Sequence, residues 1–276
     1  MEKQAVCFTI SLLSVLFIHF FAQAQQQNLH PKNPIQATKQ WSVANAHSHN
    51  DYQHRKSFTA AYDAEFGSIE VDIFLSNDSL FVGHEEEDIK RKRMLRILYL
   101  DPLAAAIRKN AGFPYSDTAR RLQILIDVKT DSISTLNALV QQLQSYPDII
   151  RCRSVSLVVT GNRPASEEWT KYPDYIFFDG RTGEIYPNSL SPKIAMISGD
   201  LGDLIHWDGK TKINKPDSTL LATTIQQVHD QGKKIRFWDA PDFKNAWLQL
   251  IQAGVDWINT DHIEKMAKFM NKLQRH

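Results

Sequence analysis

The chain is short of cysteine, of glycine and of any excess of one charge. Two of its 276 residues are cysteine, Cys7 and Cys152, and Cys7 lies in an N-terminal apolar run. A chain that loses that run keeps one cysteine and has no intramolecular disulfide to lean on, so its stability must come from a packed core. Eleven glycines without a fixed repeat exclude a collagen-like fibre, and a hydrophobic share of 42% excludes a disordered chain. Lysine and arginine number 32 against 31 acidic residues, a formal net charge of +1. The basic excess that collects nucleic-acid phosphates is missing, so no nucleic-acid partner is expected.

What is present begins with Lys3 and the run AVCFTISLLSVLFIHFF from Ala5 to Phe21, followed by Ala22-Gln23-Ala24. A positive start, an apolar stretch and a small-x-small site describe a secretory signal peptide over residues 1–24, and a periplasmic or secreted protein is expected. Serine and histidine interrupt the run, which is short for a span of about 20 apolar residues. Cys7 lies inside the run and away from the cleavage point, so lipid attachment there finds no support. Residues 25–40 are polar, hold Pro31 and Pro34, and read as a flexible leader. The fold is expected in residues 41–276, close to the usual size, about 250 residues, of an eight-fold β/α barrel.

Eight short apolar runs rich in β-branched and aromatic residues recur between stretches of helical period, at residues 42–47, 68–75, 122–129, 154–160, 175–179, 193–198, 234–239 and 256–260. A ninth, 80–84, follows the second across Asn77-Asp78 and reads as a hairpin extension. Helices are expected at 58–65, 88–99, 102–110, 132–145, 218–232, 243–253 and 262–273, with Gly67, Gly232 and Gly254 as C-caps of three of them. Strand-helix alternation without an internal linker points to one α/β domain, a single (β/α)8 TIM barrel, and an open doubly wound sheet is the alternative.

In such a barrel reacting groups stand at the C-terminal ends of the strands. Glu70 and Asp72, two apart in IEVDI, share one strand face while Ile69, Val71 and Ile73 share the other. Two carboxylates on one inward face repel, and a hard divalent cation is the simplest remedy. Asp127 ends the apolar strand LQILID, with Lys129 two residues on and facing the same way. Three acids with open positions suit one Ca²⁺ or Mg²⁺ and leave room for a phosphate oxygen. His47, His49 and Asn50 close the first strand in AHSHNDY, and His84 closes LFVGH. Two imidazoles beside a metal can supply the base and the acid that cleavage of a phosphodiester requires.

Together HSHNDY, IEVD, VGHE and IDVKT resemble the phospholipase C-like phosphodiesterase superfamily of β/α barrels. The likeness is strongest to the branch typified by altered inheritance of mitochondria protein 6. It implies a phosphoric diester hydrolase in which Glu70, Asp72 and Asp127 bind the metal with Asn50, and His49 and His84 are catalytic. SHNDY is similar to the SHNTY of the phosphoinositide enzymes, which favours His49 over His47 as the reacting imidazole. GVDWINTD at 254–261 and IRFWD at 235–239 look like the last two strands of the glycerophosphodiester group, so the resemblance spans nearly the whole chain beyond the leader. The H-R-G and E-N-T motifs of that group are absent, which withholds glycerophosphodiester as the named substrate.

A small phosphodiester or phospholipid headgroup is the expected substrate, handled by a monomer, with Lys129 and Trp238 contacting it and Trp207 as a second apolar wall. Asp179 and Asp239, at strand ends, are second-tier candidates for orienting substrate. The basic stretch 90–93 offers a transient membrane-surface contact, with a solvated helix face as the plainer alternative. Two other functions are compatible with these residues: a zinc hydrolase of amidohydrolase or histidinol-phosphatase type built on His47 and His49, and a barrel that binds phosphate or headgroup without turnover.

Overall fold

The computed structural model describes residues 41–274. The expected signal peptide and leader lie outside the described residues. Eight strands run parallel, β1 (Ala46–Ser48), β2 (Ser68–Ser76), β4 (Leu122–Val128), β5 (Val155–Gly161), β6 (Ile176–Arg181), β7 (Ile194–Asp200), β8 (Lys234–Trp238) and β9 (Ile258–Thr260). They pair in the order β8-β7-β6-β5-β4-β2-β1-β9. A parallel bridge between Arg236 and Trp257 joins the two ends of that order, so the sheet closes into the expected (β/α)8 barrel. The ninth run forms β3 (Ser79–Val82), antiparallel to β2, and its turn residues Asn77 and Asp78 both take positive φ. That is the geometry a two-residue hairpin turn demands, and Asn and Asp tolerate it best after glycine.

The helices fall close to expectation, at Thr59–Asp63, Asp101–Lys109, Ser132–Leu143, Lys215–Asp230, Lys244–Ala253 and Ile263–Leu273. Three local readings are corrected. Residues 43–45 form a 3-10 turn instead of strand, because Ser42 and Asn45 cap each other: Ala44 N–H donates to Ser42 Oγ and Ser42 N–H to Asn45 Oδ1. Such local bonds compete with a sheet ladder. The helix expected over 88–99 is instead a 3-10 segment, Glu86–Arg91, and a π turn, Arg96–Leu100. Between them Arg93 turns inward, and its Nη2 donates to the Tyr52 carbonyl and to Ser57 Oγ, clamping the loop after β1. Gly67 is not a C-cap. Its φ is ordinary, and a Cβ there would overlap the Ala44 carbonyl and the Trp257 ring, so close approach of two chains is what requires glycine. Gly232 and Gly254 do take positive φ.

Period-two alternation divides each strand between two environments. Ile69, Val71 and Ile73 of β2 and Leu122, Ile124, Ile126 and Val128 of β4 pack outward against the helices in the main apolar core. Leu125, Val158, Met196 and Trp257 form a separate plug inside the barrel. Above that plug the inward positions turn polar, and the site begins there. Among the described residues no helix is long and apolar enough to cross a membrane.

Candidate functional site

Parallel pairing in register sets the site. Glu70 lies opposite Leu125, Asp72 opposite Asp127, and Asp127 opposite Thr160. The last three form one inward rung at the C-terminal ends of adjacent strands. Oxygen atoms of Glu70, Asp72 and Asp127 therefore gather within 4.8 Å of one another. Glu70 is 4% exposed and Asp72 1%.

Each acid is countered differently. Glu70 Oε2 accepts from His47 Nε2 and from Arg236 Nη2, both at 2.8 Å. Burial alone would raise its pKa, but Arg236 and His47 outweigh it and hold the carboxyl below its ordinary range. Asp72 is pushed up to about 7, first by burial and then by the charges of Glu70 and Asp127. Burial likewise raises Asp127. Lys129 Nζ sits 3.0 Å from Asp72 Oδ2 and 2.9 Å from Asp127 Oδ2. Burial works against its charge, yet the two aspartates prevail and raise its pKa. The other oxygen of each aspartate, Oδ1, is buried with no hydrogen-bond partner. Two orphaned carboxylate oxygens beside a third acid, with oxygen donors throughout, fit a hard divalent cation.

His47 and His49 separate. His47 is wholly buried, with Nδ1 2.7 Å from Ser68 Oγ and Nε2 on Glu70. The Glu70 carboxylate can only accept at Nε2, so neutral His47 carries its hydrogen there, and Nδ1 accepts from Ser68 Oγ, which itself accepts from Gln123 Nε2. Burial, then Arg236, lowers its pKa to about 4. It supports Glu70 from behind the pocket. His49, past the end of β1, lines the pocket. Its Nδ1 is 2.9 Å from Asp261 Oδ1, and its Nε2 is 3.9 Å from Glu70 Oε1. Burial opposes its charge, but Asp261 and Glu70 outweigh it and raise the pKa.

His84 follows the β3 hairpin strand and lines the same pocket. Tyr52 Oη connects it to the acids, lying 2.8 Å from Asp72 Oδ2, 2.7 Å from Asn50 Oδ1 and 3.0 Å from His84 Nδ1. Asn50, in the left-handed region at φ 48, also reaches the pocket. The cavity is about 210 Å³ and is bounded further by Thr160, Arg181, Arg236 and Trp238. It is smaller than the range of about 300–1,000 Å³ common for ligand sites, enough for a phosphate and a short alcohol. A larger outer groove between residues 54–64 and the helix Ile263–Leu273 shares Asp261 with the site's hydrogen-bond network.

Of the residues singled out by sequence, the structure brings His49, Asn50, Glu70, Asp72, His84, Asp127, Lys129 and Trp238 to one pocket. Trp207 is not among its lining residues and donates Nε1–H to the Thr211 carbonyl. Sequence reasoning missed Tyr52, Thr160, Arg181 and Arg236. Arg236 was within reach, since it alternates with Trp238 on one face of β8, the same signal that exposed Glu70 and Asp72.

A family model described as the AIM6-like phosphodiesterase domain matches residues 36–179, just over half of the chain. The chain belongs to that family. A second model, the glycerophosphoryl diester phosphodiesterase family, matches residues 234–264, which include β8 and β9. Among curated relatives of this AIM6-like protein, the altered inheritance of mitochondria protein 6 homolog of Arthroderma benhamiae is 25% identical over 253 residues, 79% of this chain and 81% of its own. Altered inheritance of mitochondria protein 6 of Eremothecium gossypii is 27% identical over 273 residues, covering 82% and 69%. The solved structure of a glycerophosphodiester phosphodiesterase from Parabacteroides distasonis shares the fold, with a TM-score of 0.52 at 16% identity over 83% of this chain and 98% of that one.

Proposed function

We propose that this AIM6-like protein hydrolyses a small phosphodiester or phospholipid headgroup with the help of one Ca²⁺ or Mg²⁺. The observation that carries the reading is the convergence of Glu70, Asp72 and Asp127 within 4.8 Å, with buried unpartnered oxygens, in a pocket that also holds His49 and His84. Glu70, Asp72 and Asp127, joined by Asn50, are the residues to hold the cation. When bound it offsets charge on the phosphate oxygens in the transition state.

The chain's own groups divide the proton work. Asp261 accepts from His49 Nδ1–H, which leaves Nε2 to take the proton of the attacking water or hydroxyl, and the aspartate stabilises the imidazolium that forms. As the new O–P bond forms, the bond to the leaving oxygen breaks, and protonated His84 delivers its Nε2 proton to that oxygen. Tyr52 Oη, 3.0 Å from Nδ1, orients the His84 ring. Lys129 neutralises part of the acid cluster and offers its charge to a second phosphate oxygen.

The zinc reading loses support, because both ring nitrogens of His47 are engaged by Ser68 and Glu70. Among the described residues, the cluster able to hold a metal is all carboxylate. Export through residues 1–24 belongs to the same proposal, and the mass of the mature protein, starting at Gln25, tests it.

The functional test is hydrolysis of bis(p-nitrophenyl) phosphate after chelation, with Ca²⁺, Mg²⁺ or Zn²⁺ returned separately. Turnover restored by Ca²⁺ or Mg²⁺ and lowered about 10²–10⁴-fold in His49→Ala and in His84→Ala is expected. Restoration by Zn²⁺ alone returns the zinc hydrolase, and no turnover with any metal favours the binding protein.

A further inference from the structure

Three cationic side chains line the pocket, Lys129, Arg181 and Arg236. Two have their counter-charges inside it: Lys129 rests on Asp72 and Asp127, and Arg236 on Glu70 with its Nε on Asn259 Oδ1. Arg181, at the end of β6, differs. Its Nη1 donates at 2.7 Å to Oδ2 of Asp179, which is fully buried and absent from the pocket lining, and its Nη2 donates to Thr160 Oγ1 at 3.1 Å. Thr160 Oγ1 and Ser198 Oγ both donate to Asp179 Oδ2, and Arg163 Nη1 donates to the Asp179 carbonyl. Three donors thus converge on one carboxylate oxygen, Oδ2, while Oδ1 is buried without a hydrogen-bond partner, and the guanidinium is held by Oδ2. Arg181 also lies over the Trp238 ring, 4.8 Å from its centroid.

Two consequences follow for whatever sits beside the phosphate. A guanidinium carries five N–H groups, and two are engaged here, so donors remain for a ligand. The Trp238 face that would greet a quaternary ammonium already carries a cation, and a second positive charge beside Arg181 would be repelled. One side of the pocket is acidic, at Glu70, Asp72 and Asp127, and the other is a buttressed donor surface.

Resting on the phosphodiesterase reading above, we infer that Arg181 and Trp238 form a headgroup subsite that selects a phosphodiester whose alcohol is rich in hydroxyl or anionic oxygen and rejects one bearing a quaternary ammonium. Remaining Arg181 N–H groups donate to the alcohol's oxygens, and the indole backs the guanidinium.

The test compares kcat/KM for sn-glycero-3-phosphoglycerol and sn-glycero-3-phosphocholine, which differ in the headgroup. The wild type is expected to favour the glycerol compound at least tenfold. Arg181→Met should bring that ratio close to one, mainly by raising KM for the glycerol compound. Because Arg181→Met leaves a buried carboxylate unpaired, the double variant Asp179→Asn/Arg181→Met removes both charges and should show the same loss of preference at a wild-type melting temperature. A wild-type preference for the choline compound, or a ratio unchanged in both variants, overturns the subsite. If neither compound is hydrolysed, turnover of bis(p-nitrophenyl) phosphate decides the hydrolase reading separately, and calorimetric binding of the same two compounds decides the subsite. Tighter binding of the glycerol compound, lost in the double variant, sustains it, and equal binding overturns it.

Discussion

The Tyr52 hydroxyl stands 3.0 Å from Nδ1 of His84, and that contact ties the imidazole to the acid cluster. Tyr52 has one hydrogen to give, and it already faces two acceptors, Asp72 Oδ2 and Asn50 Oδ1. With that hydrogen given to Asp72, the phenol oxygen accepts from His84 Nδ1–H, which leaves Nε2 for the substrate. Tyr52→Phe should remove this restraint. We expect ¹⁵N spectra of wild-type His84 to show the Nδ1–H tautomer and those of Tyr52→Phe to shift toward Nε2–H. Turnover of bis(p-nitrophenyl) phosphate should fall about 10-fold or more in kcat, with KM less affected. A wild-type spectrum already in the Nε2–H form refutes the assignment.

Acid should act on the barrel through His47. Its pKa is about 4 in the folded chain against 6.5 when unfolded, because burial and Arg236 disfavour the charged ring. Between pH 6.5 and pH 4 the unfolded chain binds a proton that the folded chain does not. Stability contributed by neutral His47 is therefore complete above pH 6.5 and declines as pH falls, by about 3 kcal/mol in all. Asp72, raised to about 7, works in the opposite sense in the metal-free protein, since its unfolded form stays ionised down to a lower pH. The His47 contribution is thus read as a difference. Urea unfolding in chelator at pH 7.5 and 4.5 should show wild type losing more stability on acidification than His47→Gln, and equal losses would remove His47 as the cause.

Orphaned Oδ1 atoms on Asp72 and Asp127 predict that a divalent cation stabilises the fold. A ligand bound by the folded state alone adds about 2.7 kcal/mol at a hundred times its Kd. Calorimetric scans should show the melting temperature rising with Ca²⁺ or Mg²⁺ in the wild type and failing to rise in Asp127→Asn. A melting temperature indifferent to both ions in the wild type contradicts the metal site.

Much of this site could be read from one strand. In IEVDI the alternation of period two puts Glu70 and Asp72 inward, and an apolar strand ending in Asp127 repeats the signal. The barrel itself follows from eight apolar runs spaced by helical stretches. What escaped reading depends on three-dimensional register. That Asp72, Asp127 and Thr160 form one rung is set by pairing offsets between residues 55 and 33 positions apart. Tyr52 reaches His84 because the β3 hairpin folds back over β2. Arg181 lies past the expected strand 175–179 and gave no signal, since the partners that fix it, Asp179, Thr160 and Trp238, meet it only in the folded chain. The histidine pair shows the limit most plainly. His47 and His49 stand two apart, yet one is sealed behind Glu70 and the other is turned to the pocket by Asp261.

Gly161 offers the sharpest test of how tightly the acid cluster is held. It ends β5 at φ +72, a conformation that costs a residue with a side chain, and an added Cβ would overlap Asp127 Oδ1 and crowd the Val128 carbonyl. Neither neighbour is the free end of a flexible chain, because Lys129 holds the other oxygen of Asp127 at 2.9 Å. Gly161→Ala should therefore destabilise the fold by about 1–3 kcal/mol, the range for a strained backbone position. It should also displace the Asp127 carboxylate, so the rise in melting temperature with Ca²⁺ or Mg²⁺ should shrink well below the wild-type rise. Gly183, also at positive φ but with open space around its Cβ position, serves as the control. Gly183→Ala should carry the strain cost and keep the full metal response. If both variants respond to metal as the wild type does, Gly161 does not position Asp127.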